Sequence, residues 1–187
     1  MVALVCLVSC LRAEAEDFLV GTAQADITAP RGFRMSGYFS ERFNTGVRDS
    51  LKAKALVLSQ GKVKAALVFC DLIGIGPGLS RAARTRIAEK AGIPFENVSI
   101  AATHSHTGPL YFGALREHFH RAAVASNGRD PHEGVDYSAW AAEKIAEAVV
   151  RAAGAAVPVK VRHGVASEKR LSFNRRFHMK TGGVRFN

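Results

Sequence analysis

Two histidines stand one residue apart in the stretch AATHSHTGP, residues 101–109. His104 and His106 follow the apolar run NVSI, which predicts the end of a buried strand. On an extended strand residues i and i+2 point the same way, so the spacing predicts two imidazoles on one face, about 7 Å apart. Such a pair could bind zinc, although zinc needs three or four protein ligands and this pattern offers at most two. The alternative is a surface strand end with two hydrogen-bonded histidines.

Polar residues around the pair have predicted supporting roles. Thr103, Ser105 and Thr107 could fix the imidazole tautomers through hydrogen bonds. Ser105 is a poor candidate nucleophile, because strand alternation directs it away from the histidines. Asp71 ends another apolar run and either orients an imidazole or caps the following loop.

The remaining histidines and the internal cysteine are predicted to be structural. His118 and His120 repeat the spacing in EHFH, but residues 111–136 lack a period, which predicts a solvated loop. Cys70 lies inside ALVFCDL and is predicted to be a buried, inert thiol. Structural or surface positions are predicted for His132, His163 and His178.

The order of the elements predicts an α/β fold with a layered mixed sheet and flanking helices. A long loop between the first two strands, residues 30–48, is a candidate for function, with Gly37 and Tyr38 at the mouth of the site. Asp136 is the predicted N-cap of the last helix. Strands are predicted at 18–27, 51–59, 62–72, 98–102 and 157–166, helices at 79–91 and 136–153, and a terminal hairpin after 171.

Composition narrows the class of protein. The 187 residues are 48% apolar, enough for one domain with a sizeable core. The net charge of +10 comes from scattered Lys and Arg without a nucleic-acid motif, so specific nucleic-acid binding is not expected. Peripheral attraction to an anionic membrane surface explains the charge equally well for an exported protein.

Residues 1–15 are predicted to be a signal peptide, because an apolar stretch leads to the small-x-small pattern Ala13-Glu14-Ala15. Two alternatives stay open: LVSC resembles a lipoprotein cleavage box ending at Cys10, and the segment could remain as an anchor. We therefore expect an exported, periplasmic or extracellular protein, with a lipid anchor as one form. Residues 16–187 are the predicted domain. The C-terminal segment lacks a helix cap or polar tail, so we expect an N-terminal fragment of a larger catalytic domain.

Five segments in order resemble the neutral/alkaline non-lysosomal ceramidase family: VGTAQADITAP, MSGYF, the strand ending in Asp71, ATHSHTGP and LSFNRR. The resemblance covers residues 20–187 and is strongest at ATHSHTGP. It implies a zinc-dependent amidase that hydrolyses the N-acyl bond of ceramide to sphingosine and a fatty acid.

The resemblance also assigns roles to single residues. His104 matches the family's first zinc ligand, and His106 matches the histidine beside the metal that handles substrate or protons. Arg175, in FNRR, matches an arginine of the family's active site. The family's other ligands, a histidine, a glutamate and a tyrosine, come later in its sequence than this chain extends.

The sequence is compatible with two other functions. A non-catalytic fragment or paralogue could keep the fold and bind anionic lipid or a polyanion through its basic face. A zinc enzyme of the same type could instead act on a different N-acyl compound or ester, since nothing in the sequence sizes the acyl pocket.

Overall fold

The computed structural model describes residues 16–186, so the predicted signal peptide and Cys10 lie outside the described residues. A five-stranded sheet in the order β4-β3-β2-β1-β5 forms the centre. Strands β1 and β2 pair along their whole length, β3 pairs along its whole length with β2, and both pairs are antiparallel. Only β3 and β4 run parallel among the paired strands of the described chain. The strands are β1 Phe18–Asp26, β2 Lys52–Gln60, β3 Val63–Cys70, β4 Val98–Ala102 and β5 Val157–Pro158.

Two helices cover one face of the sheet. Helix α1, Pro77–Ala91, connects β3 to β4, and a later helix, α3, Tyr137–Gly154, packs against α1, β1 and β2. Along α3, buried residues recur on one face, and this periodicity explains why the helix forms against the sheet. Asp136 caps α3 by accepting a hydrogen bond from the backbone N–H of Ala139 at 3.0 Å, as predicted. The α/β mixed-sheet prediction is confirmed.

Strand alternation divides the side chains of β2 and β3 between two environments. Ala53, Ala55 and Val57 face the helices and are buried. Leu56 pairs with Leu67 on the opposite face, where Phe69 of β3 is 48% exposed. Cys70 is buried, as predicted, and burial raises the pKa of its thiol to about 12. The thiol is therefore uncharged and inert.

Helix α2, Ala114–Asn127, corrects one prediction, because residues 111–136 are not simply a loop. The signal was present: Leu115, Phe119 and Ala123 recur every fourth residue, and Gly128 ends the helix in the left-handed conformation. This stripe is short, and α2 buries none of its residues, so the spacing alone does not distinguish a helix from a solvated loop.

The C-terminal part departs from the predicted strand 157–166. Only Val157–Pro158 pairs, because β5 meets just Leu19 and Val20 at the edge of the sheet. Every residue from 160 to 186 is exposed. The predicted terminal hairpin is present, with β6, Arg176–His178, antiparallel to β7, Val184–Phe186. No helix within residues 16–186 is long and apolar enough to cross a membrane.

Gly21 tests the contact between β1 and α3. A Cβ at this position would lie 1.8 Å from the carbonyl oxygen of Ala152, so Gly21→Ala should lower the free energy of unfolding. We expect a loss of about 1–3 kcal/mol, as for other overpacked sites. Gly46→Ala is the matched control, since a Cβ there meets nothing within 4 Å. Urea denaturation followed by circular dichroism would measure both, and equal midpoints would contradict this packing.

Candidate metal and catalytic site

The histidine pair lies in a loop that begins at the carboxyl end of β4. Because β4 is parallel to β3, the loops that leave both strands meet at one edge of the sheet, where open α/β sheets bind ligands. The two loops are joined by backbone hydrogen bonds. Thr103 N–H donates to the Cys70 carbonyl at 2.9 Å, and Ser105 N–H donates to the Leu72 carbonyl at 3.0 Å. The loop after β3 therefore supports the histidine loop.

His104 does not lie on a strand. The prediction that strand alternation brings the two imidazole rings together is therefore wrong. Strand β4 ends at Ala102, and His104 has a φ of 62°, the only positive φ of a non-glycine residue within the described chain. A side chain in this left-handed region costs roughly 1–2 kcal/mol, and such strain tends to occur at functional sites. The hydrogen bonds around His104 must therefore outweigh this backbone strain.

The tautomer of His104 follows from its partner. Its Nδ1 lies 2.8 Å from the carbonyl oxygen of Ile73, which can only accept a hydrogen bond. Nδ1 therefore carries a proton, and in the neutral ring Nε2 holds the free lone pair. Metal-binding histidines commonly have this arrangement, in which one nitrogen is fixed by a carbonyl and the other is available as a ligand.

His106 lies beside His104, as the sequence predicts. The ring centroids are 4.9 Å apart, at an interplanar angle of 71°. Tyr38 packs its ring near His106 at 6.2 Å, and Gly37 adjoins the backbone of His106, so the long loop does border the pair. Both histidines are exposed. The nearby cavity of about 500 Å³ is lined by Thr103, Ser105 and Thr107 and by neither imidazole.

The predicted supporting residues act differently from expectation. Ser105 Oγ and Thr107 Oγ1 lie 3.1 Å apart and bond each other rather than a histidine. Asp71 accepts from the N–H of Lys52 at 3.0 Å and from the hydroxyl of Thr103 at 3.3 Å. Its partners lie at the start of β2 and just after β4, so these contacts match neither predicted role, orienting an imidazole or capping the following loop. The backbone carbonyl of Ile73, instead of these side chains, orients the His104 imidazole. No sequence pattern marks a backbone carbonyl for such a role.

Arg175 and three other histidines lie apart from the pair in their described contacts. Arg175 is exposed just before β6, with its guanidinium 5.0 Å from the ring centroid of Phe186. His132 is structural: it stacks on Phe43 at 3.9 Å, and its Nδ1 lies 3.0 Å from the Gly32 carbonyl oxygen. His163 and His178 are exposed.

A second cluster was not predicted. His120 lies on α2, not in a solvated loop, and its Nδ1 is 3.0 Å from Asp130 Oδ2 and 3.2 Å from Glu133 Oε2. The three residues are the one group among residues 16–186 whose ligand atoms lie close enough to hold a metal ion. The sequence showed the EHFH pattern but not the turn that brings Asp130 and Glu133 back to α2.

Two arginines compete with any cation at this cluster. Arg34, 1% exposed, pairs with Asp130 through Nη1, and Arg116 pairs with Glu133 through Nη2. The two guanidiniums already balance the charge of the two carboxylates, and they use the oxygens that a metal would need. Arg34 also pairs with Glu41 at 2.6 Å, so we interpret the cluster as an ion-pair network that ties the long loop to α2.

The histidine pair fits part of a zinc site. An imidazole nitrogen is a suitable zinc ligand, and His104 has the hydrogen bond that leaves its Nε2 available for this role beside His106. No third ligand from residues 16–186 completes a set around them. The pair can therefore supply only part of the coordination shell.

Comparisons with known proteins show the fold. The neutral ceramidase from Pseudomonas aeruginosa is 24% identical, with a TM-score of 0.59 over 78% of this chain and 23% of that chain. A ceramidase complexed with C2 is also 24% identical, with a TM-score of 0.57 over 76% of this chain and 22% of that chain. This chain thus spans less than a quarter of either protein. No family model matches the sequence. Curated proteins give no match either.

Asp130 should make stability depend on pH. Burial alone would raise the pKa of its carboxyl, but hydrogen bonds from Arg34, the His132 backbone and His120 outweigh burial and lower that pKa below its usual 3.8. A lowered folded pKa stabilises the fold above the unfolded pKa, and this stabilisation is lost as pH falls through the folded pKa. The free energy of unfolding should therefore fall below about pH 4.

The variant Asp130→Asn should remove this contribution. We expect it to cost about 3 kcal/mol at neutral pH, because Arg34 loses a buried partner, and the difference from the wild type should shrink in acid. Glu168→Gln, in an exposed pair with Arg170, is the control and should change nothing measurable. Urea unfolding at a series of pH values provides the measurement. A difference that stays constant down to low pH would contradict the assignment.

Proposed function

We propose that the protein is a zinc-dependent amidase that cleaves the N-acyl bond of ceramide or a related N-acyl lipid. The observation that carries the proposal is His104, whose Nδ1 is bonded to the Ile73 carbonyl, leaving Nε2 available beside His106. The order of the sequence motifs and the ceramidase-like fold support the substrate class. The aligned part makes up 23% of one solved neighbour and 22% of the other, so the activity of the whole enzyme is part of this proposal.

The chemistry of amide cleavage accounts for the residue types. An amide is a poor electrophile, and a bound zinc ion would polarise its carbonyl and lower the pKa of a water molecule to about 7. His104 would hold the ion as a neutral imidazole. His106, next to it and exposed to solvent, would carry the proton that the departing amine requires.

Arg175 remains a proposed catalytic residue. A guanidinium can donate two parallel hydrogen bonds, which suits a carbonyl oxygen or a carboxylate product. The segment that carries Arg175 is exposed throughout, and its guanidinium contacts only the exposed ring of Phe186 among the aromatic residues described. Arg175 is therefore available to a substrate in a way that the buried Arg34 is not.

A variant of His104 tests the metal role. His104→Ala should lose zinc, and amide hydrolysis should fall by more than about 100-fold, since loss of a mere orienting partner already costs 10–100-fold. His163→Ala removes an exposed imidazole from the C-terminal segment and should keep both. Metal analysis and a fluorescent N-acyl amide assay would be run on the same preparations. If His104→Ala had the same zinc content and activity as the wild type, a role for His104 in binding the metal would be contradicted.

A second candidate function is binding to anionic lipid, and the C-terminal segment favours it. Residues 160–186 are all exposed, and they combine basic with large apolar side chains. Val165 is 95% exposed, Leu171 84% and Phe173 71%. Such a segment can place its apolar groups in a lipid interface while its cations meet the headgroups. Its basic residues are Lys160, Arg162, Lys169, Arg170, Arg175, Arg176, Lys180 and Arg185, and Glu168 is its acidic residue.

Vesicle sedimentation tests this binding. Arg162→Ala combined with Lys180→Ala should weaken binding to phosphatidylserine-containing vesicles by about tenfold or more, given roughly 1 kcal/mol per basic residue. Arg31→Ala combined with Arg81→Ala removes the same charge elsewhere on the exposed surface and should have a smaller effect. Binding should weaken at high salt and be absent with phosphatidylcholine alone. Equal effects of the two double variants would contradict a specific role for the segment.

A further inference from the structure

Arg42 makes three contacts around His106. Its guanidinium stacks on the ring of Tyr38, with the guanidinium carbon 3.9 Å from the ring centroid. The same group donates through Nη2 to the carbonyl of Ser36 at 2.9 Å and to the carbonyl of His106 at 3.1 Å. One side chain thus connects the long loop to the backbone of the second histidine.

Gly37 closes the other side of His106. Its φ of 100° lies in the region that favours glycine, and a Cβ there would lie 2.5 Å from the Cβ of His106. The neighbouring Ser36 donates its N–H to the Gly108 carbonyl at 2.8 Å, just beyond His106. The loop segment 36–42 and the histidine loop are therefore in direct backbone contact, and Arg42 spans that contact.

The two imidazoles are positioned by different parts of the chain. His104 is held by its own left-handed backbone and by Ile73, from the loop after β3. His106 is held by Arg42 and Gly37, from the loop before β2. The rings on these two differently supported backbones lie 4.9 Å apart. We propose that Arg42 is a positioning residue that fixes the imidazole of His106 beside that of His104.

The planar guanidinium is needed for these contacts. It can stack on an aromatic ring and donate to two carbonyls at the same time, whereas a lysine ammonium cannot reproduce that geometry. Arg42 Nε is buried without an acceptor among the described residues. Burying Nε without an acceptor is unfavourable. The stacking on Tyr38 and the bonds to the two carbonyls therefore account for the position of the Arg42 side chain better than its own hydrogen bonding does.

Nuclear magnetic resonance on metal-free protein tests the placement directly. With selectively labelled histidine, the wild type should show a ring-to-ring nuclear Overhauser effect between His104 and His106. Arg42→Ala should abolish it and shift the His106 ring signals, while the remaining histidine signals stay in place. Arg84→Ala is the matched control, because Arg84 also stacks on a ring, Phe95 at 3.8 Å, and donates to a carbonyl at 2.9 Å. Arg84→Ala should leave the histidine pair unchanged.

The kinetic consequence rests on the proposed function. In the zinc-loaded protein, Arg42→Ala should lower kcat by about 10–100-fold with little change in KM, as for other orienting residues. Zinc content should be kept, because the described anchors of His104 do not include Arg42. Free guanidinium should restore part of the rate. Arg42→Lys should resemble Arg42→Ala, with a similarly lowered kcat and no ring-to-ring contact. If the alanine variant does not fold, the lysine variant provides the test.

The outcomes separate the two proposals. A ring-to-ring effect that survives in both Arg42 variants would overturn the positioning role, whatever the activity. A wild type that holds no zinc and cleaves no amide would defeat the proposed function, and the metal-free spectra would still decide the role of Arg42. Loss of the ring contact in Arg84→Ala as well would show a general loosening of the fold, and the specific role of Arg42 would be rejected.

Discussion

The parallel pairing of β3 with β4 is the constraint on which the site depends. Cys70 lies opposite Ala102 in this register, so both strands end at the same level and the loops that leave them must run side by side. Their backbone hydrogen bonds then use the otherwise unpaired groups at the strand ends, as burial requires. In the loop after β3, the Ile73 carbonyl accepts a hydrogen bond from the His104 ring itself. A shift of one residue in the pairing would exchange the faces of β4 and remove this acceptor from His104.

The long loop between β1 and β2 adds a second layer of support. It contacts the histidine loop through the isolated bridge between Met35 and Pro109, and its own Arg34 is buried. Arg34 pairs with Glu41 within the loop and with Asp130 beyond α2, so one charged side chain connects the loop to a segment that is distant in sequence. A buried arginine is costly unless it is paired, and here carboxylates accept from Nε and Nη1, whereas the buried Nη2 has no acceptor among the described residues. The loop can thus hold Gly37 and Arg42 against His106 without regular secondary structure.

The sequence predicts the central fold well because the relevant signals are local. The hairpin β2–β3 follows from two apolar runs around Gln60-Gly61, and α3 follows from an apolar face with Asp136 as its cap. Predictions failed where tertiary contacts decide the outcome. Residues 157–166 alternate like a strand, but only two of them find a partner at the sheet edge. Helix α2 has the right spacing, yet buries no residue that would mark it.

In the site, too, local signals were predictable and tertiary contacts were not. The residue types and spacing of His104 and His106 indicate their pairing, but the expected geometry, two positions along one strand, is wrong. The rings meet because His104 adopts a left-handed backbone and because a backbone carbonyl orients it, and neither feature has a signature in a single sequence. A left-handed histidine is stable only where several contacts together outweigh its strain. The contacts that do so come from the loop after β3, while the long loop supports His106, so the histidine motif has its geometry only within this fold.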